Sequence, residues 1–449
     1  MKISENELVE SCRLAVNTAI KKGADSAEAY SVSSVETEAS IEQNDVKLGK
    51  FHQRSGIGIR VIKNGALGFS SVNMLSREEI NESIDASIKI ASKGSYDQYN
   101  IFPNTKVPQK LSGIYDRAAH DFKSENSVKN AVEMLKTARR YDERVTVDSG
   151  VFNNSLNSIA VVNSNGVECV ETTSNFTWYI MGMAIDEKEV SSFDFQFGGS
   201  HHLKDIAVEG TARNFAENVV KSLGSKKCQP FKGTLILSPH AVAELILPTL
   251  VNSVNSNNVQ KGRSSFAGKM GNEIACKELT ITDDATWSDG LAASSFDREG
   301  VPHKKLDIID MGVLKSYLYN TYTACRDKIN STGHASGDEE SSPGVGSTNI
   351  IFKEGKSSFE DILSEVKKGI LVTRFSGNVN PVSGDFSGVV KGGHLIISGE
   401  RIHPLRETLI AGNIFESLFE ISGISKDREK VFNILAPYIR VEGISVTSG

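Results

Sequence analysis

The chain has 449 residues, a formal net charge of −6, 39% hydrophobic and 24% charged residues. That length holds two or three domains rather than one core, and the composition is that of a globular protein. Lysines and arginines are dispersed, with Lys304-Lys305 and Lys367-Lys368 among the densest basic pairs, which excludes duplex binding through a concentrated cationic face.

The N-terminus, MKISENELVESCRL, carries no apolar leader core, and no apolar run approaches the roughly 20 residues that span a bilayer; the expected location is cytoplasmic. Ser4 with Glu7 reads as a capping box, followed by a helix with Leu8, Cys12, Ala15 and Ala19 on one face and Gly23 as its stop. Extended segments are predicted at Glu28–Val35 and Thr37–Glu42. A hairpin follows over Gly56–Val72, with Asn64-Gly65 supplying a type I′ turn. A second helix starts at Ser76, buries Ile80, Ile84, Ile88 and Ala91, and stops at Gly94. The polar stretch with Pro103 and Pro108 reads as a linker.

A helix over Glu125–Tyr141 opens a second unit, followed by strands over Val145–Phe152, a hairpin through Asn165-Gly166, and a strand over Thr177–Ile185. A helix from about Asp205 to Leu223 closes it. The third unit begins with strand Gly233–Ser238 and helix Pro239–Val254. Strand-like segments then dominate (ELTITDD, KLDIID, VLKSYLYN, GILVTRF, GGHLIIS), interrupted by a helix over Phe359–Lys368. The expected fold class is α+β: mixed α/β units, with helices packed on strands and hairpins, then a mainly antiparallel β C-terminal domain. The expected domains are 1–110, 111–226 and 227–449.

Cys12, Cys169, Cys228, Cys276 and Cys325 are scattered and odd in number, with no CxxC pair, which argues against a zinc ribbon, a redox motif or a disulfide framework. The glycine-punctuated segments FDREGVP (296–302), DMGVLKSYLYNTYTA (310–324), STGHA (331–335), VSGDFSG (382–388) and AGNIFESL (411–418), with GIGIRV near the N-terminus, resemble the TldD/PmbA family of metallopeptidases, once called modulators of DNA gyrase. The resemblance covers most of the chain.

Catalytic members of that family carry HExxxH on a helix and a cysteine near the C-terminus. Two imidazoles hold the zinc and the glutamate deprotonates its water. The matching helix here offers His240 and Glu244, then Leu245, Ile246, Leu247, Pro248 and Val251, and the last 100 residues contain no cysteine. The pattern resembles the TldE (PmbA) branch, which pairs with a catalytic TldD-type chain. The resemblance implies a non-catalytic subunit of a peptidase acting on unfolded peptides, as a heterodimer or homodimer. It also implies no cofactor in this chain, zinc in the partner, and no nucleic acid or membrane partner.

Several residues carry other chemistry. Asp297, Glu299 and His303 flank the turn EGVP and could form a relocated metal or acid/base site; the simpler reading is side chain to backbone bonding that fixes the turn, with Arg298 paired to a carboxylate. Asn378, Asn380, Ser383 and Asp385 form a polar loop that either lines a substrate cleft or satisfies its own backbone. Two ligands, His240 and Glu244, do not make a zinc site. Ser331, Thr332 and His334 suggest a triad fragment, but no aspartate stands at a diagnostic spacing. Gly56 to Gly58 enters a strand rather than following one, so it is not a dinucleotide loop. A homodimeric peptide-binding module is the remaining alternative.

Overall fold

The computed structural model describes residues 3–47, 49–187 and 189–448. Helix α1 (Glu5–Lys21) begins at the Ser4–Glu7 capping box, both halves of which form. Strand β1 (Ser26–Glu42) is continuous, without the break expected near Glu36. It is paired on both edges: by β2 (Lys50–Lys63) from Ser26–Ile62 to Glu38–Lys50, and by the strand over Val145–Asn163 from Glu28–Asn163 to Glu42–Ser149. Two continuous ladders satisfy its backbone, so local polarity cannot interrupt it.

Strand β3 (Ala66–Val72) returns from β2 through Asn64 and Gly65, both at positive φ (51° and 74°). After α2 (Arg77–Ala91) and α3 (Ser124–Tyr141) come β4 (Val145–Asn163), β5 (Glu168–Asp186), β6 (Asp194–Ser200) and α4 (Val208–Lys221). These six strands, with the short Asp45–Val46 and Glu189–Val190, form one eight-stranded sheet, ordered β3-β2-β1-β4-β5 with β6 beside β5. The sheet therefore crosses residue 110. Helices α1 and α2 bury Leu8, Cys12, Ile80 and Ile84 against Ile57 and Ile59. Helices α3 and α4 bury Met134 and Phe215 among Phe152, Phe176 and Trp178.

The C-terminal region opens with β7 (Phe231–Leu237). The single helix expected over Pro239–Val254 is two, α5 (Pro239–Leu245) and α6 (Leu247–Val254). Pro248 has no N–H for the Glu244 carbonyl, and its ring crowds that oxygen. Strands β8 (Lys368–Val372), β9 (Arg374–Val379), β10 (Asp385–Lys391), β11 (His394–Ile397), β12 (Glu400–Pro404), β13 (Thr408–Asn413), β14 (Ile421–Val431) and β15 (Ile434–Ser448) belong to a 13-stranded sheet. It is largely antiparallel; among the described residues only β7–β8 and the pairing of Ile350–Phe352 with β15 are parallel.

The helix expected over Phe359–Lys368 ends at Ser364. Lys368 already starts β8, and a Cβ on Gly369 would sit 2.5 Å from the Thr234 carbonyl of neighbouring β7. ELTITDD and VLKSYLYN contribute only short strands, Ile281–Asp283 and Val313–Leu314. None of the described helices is long and apolar enough to cross a membrane.

Candidate functional site

The residues around α5 and α6 decide whether this fold holds a metal. Ser238 caps α5 by accepting from Ala241 N at 3.1 Å, placing His240 in the first turn. Burial holds the His240 imidazole down at about 4, with Arg374 adding to the effect. Glu244 faces Arg374 in an ion pair and accepts from Phe375 N at 2.6 Å. Its oxygens thus tie α5 to β9. On α6 the buried face is Thr249, Leu250, Ser253 and Val254, and these pack into the C-terminal core. This donor set does not fit zinc, because one histidine and an already occupied carboxylate leave most of a tetrahedral shell unsupplied. Among the described residues, no three of His, Cys, Asp and Glu converge as a metal site.

Asn378, Asn380, Ser383 and Asp385 lie at the β9–β10 hairpin. Asn380 Oδ1 accepts from Val382 N at 3.0 Å and Ser383 N at 3.2 Å; Ser383 Oγ donates to Asp385 at 2.8 Å, and Asn413 Nδ2 donates to the same carboxylate at 2.9 Å. The loop satisfies its own backbone, while Asn378 stands exposed on β9. Asn252 of α6 donates to the Pro381 carbonyl at 3.0 Å. The hairpin is thereby set beside the helix pair. Among the described residues strand β9 pairs only with β10; on its other edge Phe375 N is taken by Glu244, and no strand pairs beyond it.

Asp297, Glu299 and His303 are separated by their bonding. Asp297 accepts from the backbone N–H groups of Glu299 (2.9 Å), Val301 (3.0 Å) and Ala335 (2.9 Å). Burial, then the nearby Glu299 carboxylate, pushes it up to about 8 against those donors. Glu299 accepts from Arg60 at 2.9 Å and Thr321 N at 2.9 Å. Arg60 also grips Glu28 through Nε and Nη2, and Arg298 donates to Glu28 at 3.2 Å while lying 3.7 Å over the Tyr30 ring. This is a buried charge knot joining the N-terminal sheet to the C-terminal turn 296–302. Burial, then His334, holds His303 down at about 4.

His334 lies between Thr332 Oγ1 (2.8 Å from Nδ1) and Asp283 Oδ1 (3.5 Å from Nε2). An aspartate does complete this line, from far upstream where no sequence spacing pointed to it. Thr332, His334 and Asp283 are all buried, and Thr332 Oγ1 also accepts from Tyr319 N at 2.8 Å. The trio is a packed polar network rather than an accessible nucleophile. Gly56 and Gly58 also gain a reason: a Cβ on Gly58 would lie 2.4 Å from the Glu339 carbonyl. The GIG motif lets a C-terminal segment lie directly on β2.

The buried neutral histidines carry a pH prediction. Unfolded imidazoles take up a proton near pH ~6.5, whereas folded His240 and His303 do so only near 4. The contribution of these two imidazoles is then full above about pH 6.5 and drains as pH falls from about 6.5 to 4, opposed in part by Asp297, whose raised carboxyl favours the fold at the acid end. The urea midpoint at pH ~4.5 is expected well below that at pH ~7, and His303→Gln should flatten part of the difference. Equal midpoints at both pH values would contradict this account.

Three family models cover the chain: "PmbA/TldA metallopeptidase domain 1" over residues 27–91, the central domain over 120–223, and the C-terminal domain over 230–448. An uncharacterised protein of Methanocaldococcus jannaschii is 30% identical over 389 residues, covering 86% of this chain and 88% of that one. The "Metalloprotease PmbA" of Escherichia coli O157:H7 is 26% identical over 446 residues, covering 96% and 95%. The crystal structure of TldE from Thermococcus kodakarensis superposes with a TM-score of 0.91 at 25% identity, covering 98% of this chain and 100% of that one. Sequence motifs, fold and these likenesses agree, and the chain belongs to the PmbA/TldD metallopeptidase family.

Proposed function

We propose that this chain is a TldE-like, non-catalytic subunit of a cytoplasmic peptidase, completing the substrate cavity of a TldD-type partner that carries the zinc. The observation behind this reading is the helix pair after β7: aliphatic residues and Pro248 occupy the helix, and Glu244 is committed to Arg374 and Phe375 N. The subunit contributes an enclosing wall and a strand edge. The edge of β9 beyond Phe375, beside the hairpin that carries Asn378 and Asn380, suits an extended, unfolded peptide adding as a further strand.

A peptidase centred on Asp297, Glu299 and His303 is less well supported, because Glu299 is already bonded to Arg60 and Thr321 N. The test mixes the purified chain with a TldD-type protein. Co-elution, with peptide cleavage and chelator sensitivity only in the mixture, is the expected result. Stoichiometric zinc and cleavage by the isolated chain would overturn the reading. Peptide capture by a homodimer that ignores the TldD-type protein would replace it with a binding module.

A further inference from the structure

A polar cavity of about 280 Å³ lies between α4 and β6 on one side and β8, β11, β12 and β15 on the other. It is apart from the charge knot, but His240 of α5 and Thr373, next to β9, also line it, as do Glu217 and Glu429. Its volume is far beyond one ordered water and near the lower end for small-molecule sites. The two ends differ in charge.

At one end is His394, whose Nδ1 is buried without a hydrogen-bond partner. Arg401, Lys221 and His403 act on this imidazole, and with burial as the larger cause they hold it neutral. Arg401 and Lys221 are committed only to exposed partners, Glu360 and Glu217. Such pairs are weak and yield to a better-placed anion. At the other end Asp194 is 4% exposed, and one oxygen accepts from Gln196 at 3.0 Å and Asn218 at 3.1 Å. Arg374, the cation acting on it, is held by Glu244. Between the ends, Phe359 and Tyr438 stand with centroids 4.2 Å apart, beside Leu371.

Two cations held only by weak surface pairs call for an oxyanion, and a desolvated carboxylate calls for a cation. A polyanion such as phosphate satisfies the first and is repelled by the second. We propose that this cavity binds a small zwitterion of free amino acid or dipeptide size. Its carboxylate lies at Arg401 and Lys221, beside His394, its ammonium at Asp194, and its aliphatic part on the Phe359–Tyr438 pair.

The test is calorimetric titration of the whole chain with glycine, diglycine, acetate, methylammonium and inorganic phosphate. Glycine or diglycine is expected to bind about tenfold or more tightly than the singly charged ions and phosphate, with the His394 ring proton resonances moving on binding. Arg401→Gln and Asp194→Asn should each weaken that binding by about tenfold. No saturable binding of either zwitterion, equal binding of acetate or phosphate, or undiminished binding in both variants would overturn the proposal. Should Asp194→Asn not fold, the half-exposed Arg401→Gln decides alone.

Discussion

Arg60→Ala is expected to destabilise the folded chain by about 3–5 kcal/mol, among the largest effects of any single side chain. The Arg60 side chain is 8% exposed and those of Glu28 and Glu299 are 1% exposed. Removing the guanidinium leaves two nearly fully buried carboxylates without their shared cation, with Arg298 still on Glu28. One lies on β1 and the other in the C-terminal turn 296–302, so the loss also loosens that turn from the N-terminal sheet. The comparison is Arg13→Ala, whose bonds to Glu10 and Glu168 are at the surface and whose removal should barely move the midpoint. The measurement is the urea or thermal midpoint, with hydrogen exchange at 297–301 and in β2. Equal midpoints for the two variants would show that the knot contributes nothing to stability.

Gly68→Ala is expected to cost about 3 kcal/mol, at the severe end for one added methyl group. The new Cβ would lie 1.9 Å from the Ser87 carbonyl oxygen and 2.7 Å from Ala91 N. Both are backbone atoms of the α2 region, so no rotamer change relieves the clash and α2 must lift from β3. That motion uncovers Ile80 and Ile84, and proteolysis within 77–91 should accelerate. Gly210→Ala is the opposite case. Gly210 is exposed near the start of α4 with nothing within 4 Å of the added atom, so the change should stabilise by up to about 1 kcal/mol. Proteolysis of Gly68→Ala at the parent rate would refute the close packing of α2 on β3.

Much of the local structure was legible because its causes are local. The Ser4–Glu7 and Ser76–Glu79 pairs announce helix starts, and Asn64-Gly65 announces a turn that needs positive φ at both positions. The failures are equally specific. The break expected between Val35 and Thr37 is absent because strands pair both edges of β1 through Glu36. The single helix expected over Pro239–Val254 runs through Pro248, whose lost N–H splits α5 from α6.

Family membership and the missing histidine pair came from residue identity and order alone, because ligands and turn glycines must be particular amino acids. Tertiary structure decided which polar residues face one another. His334 meets Asp283 across 51 positions of chain, Glu28 and Glu299 share one guanidinium, and Asp194 and His394 line one cavity. Electrostatic and hydrogen-bond energies depend on distance and burial. Neither quantity is defined until the two sheets are folded against each other.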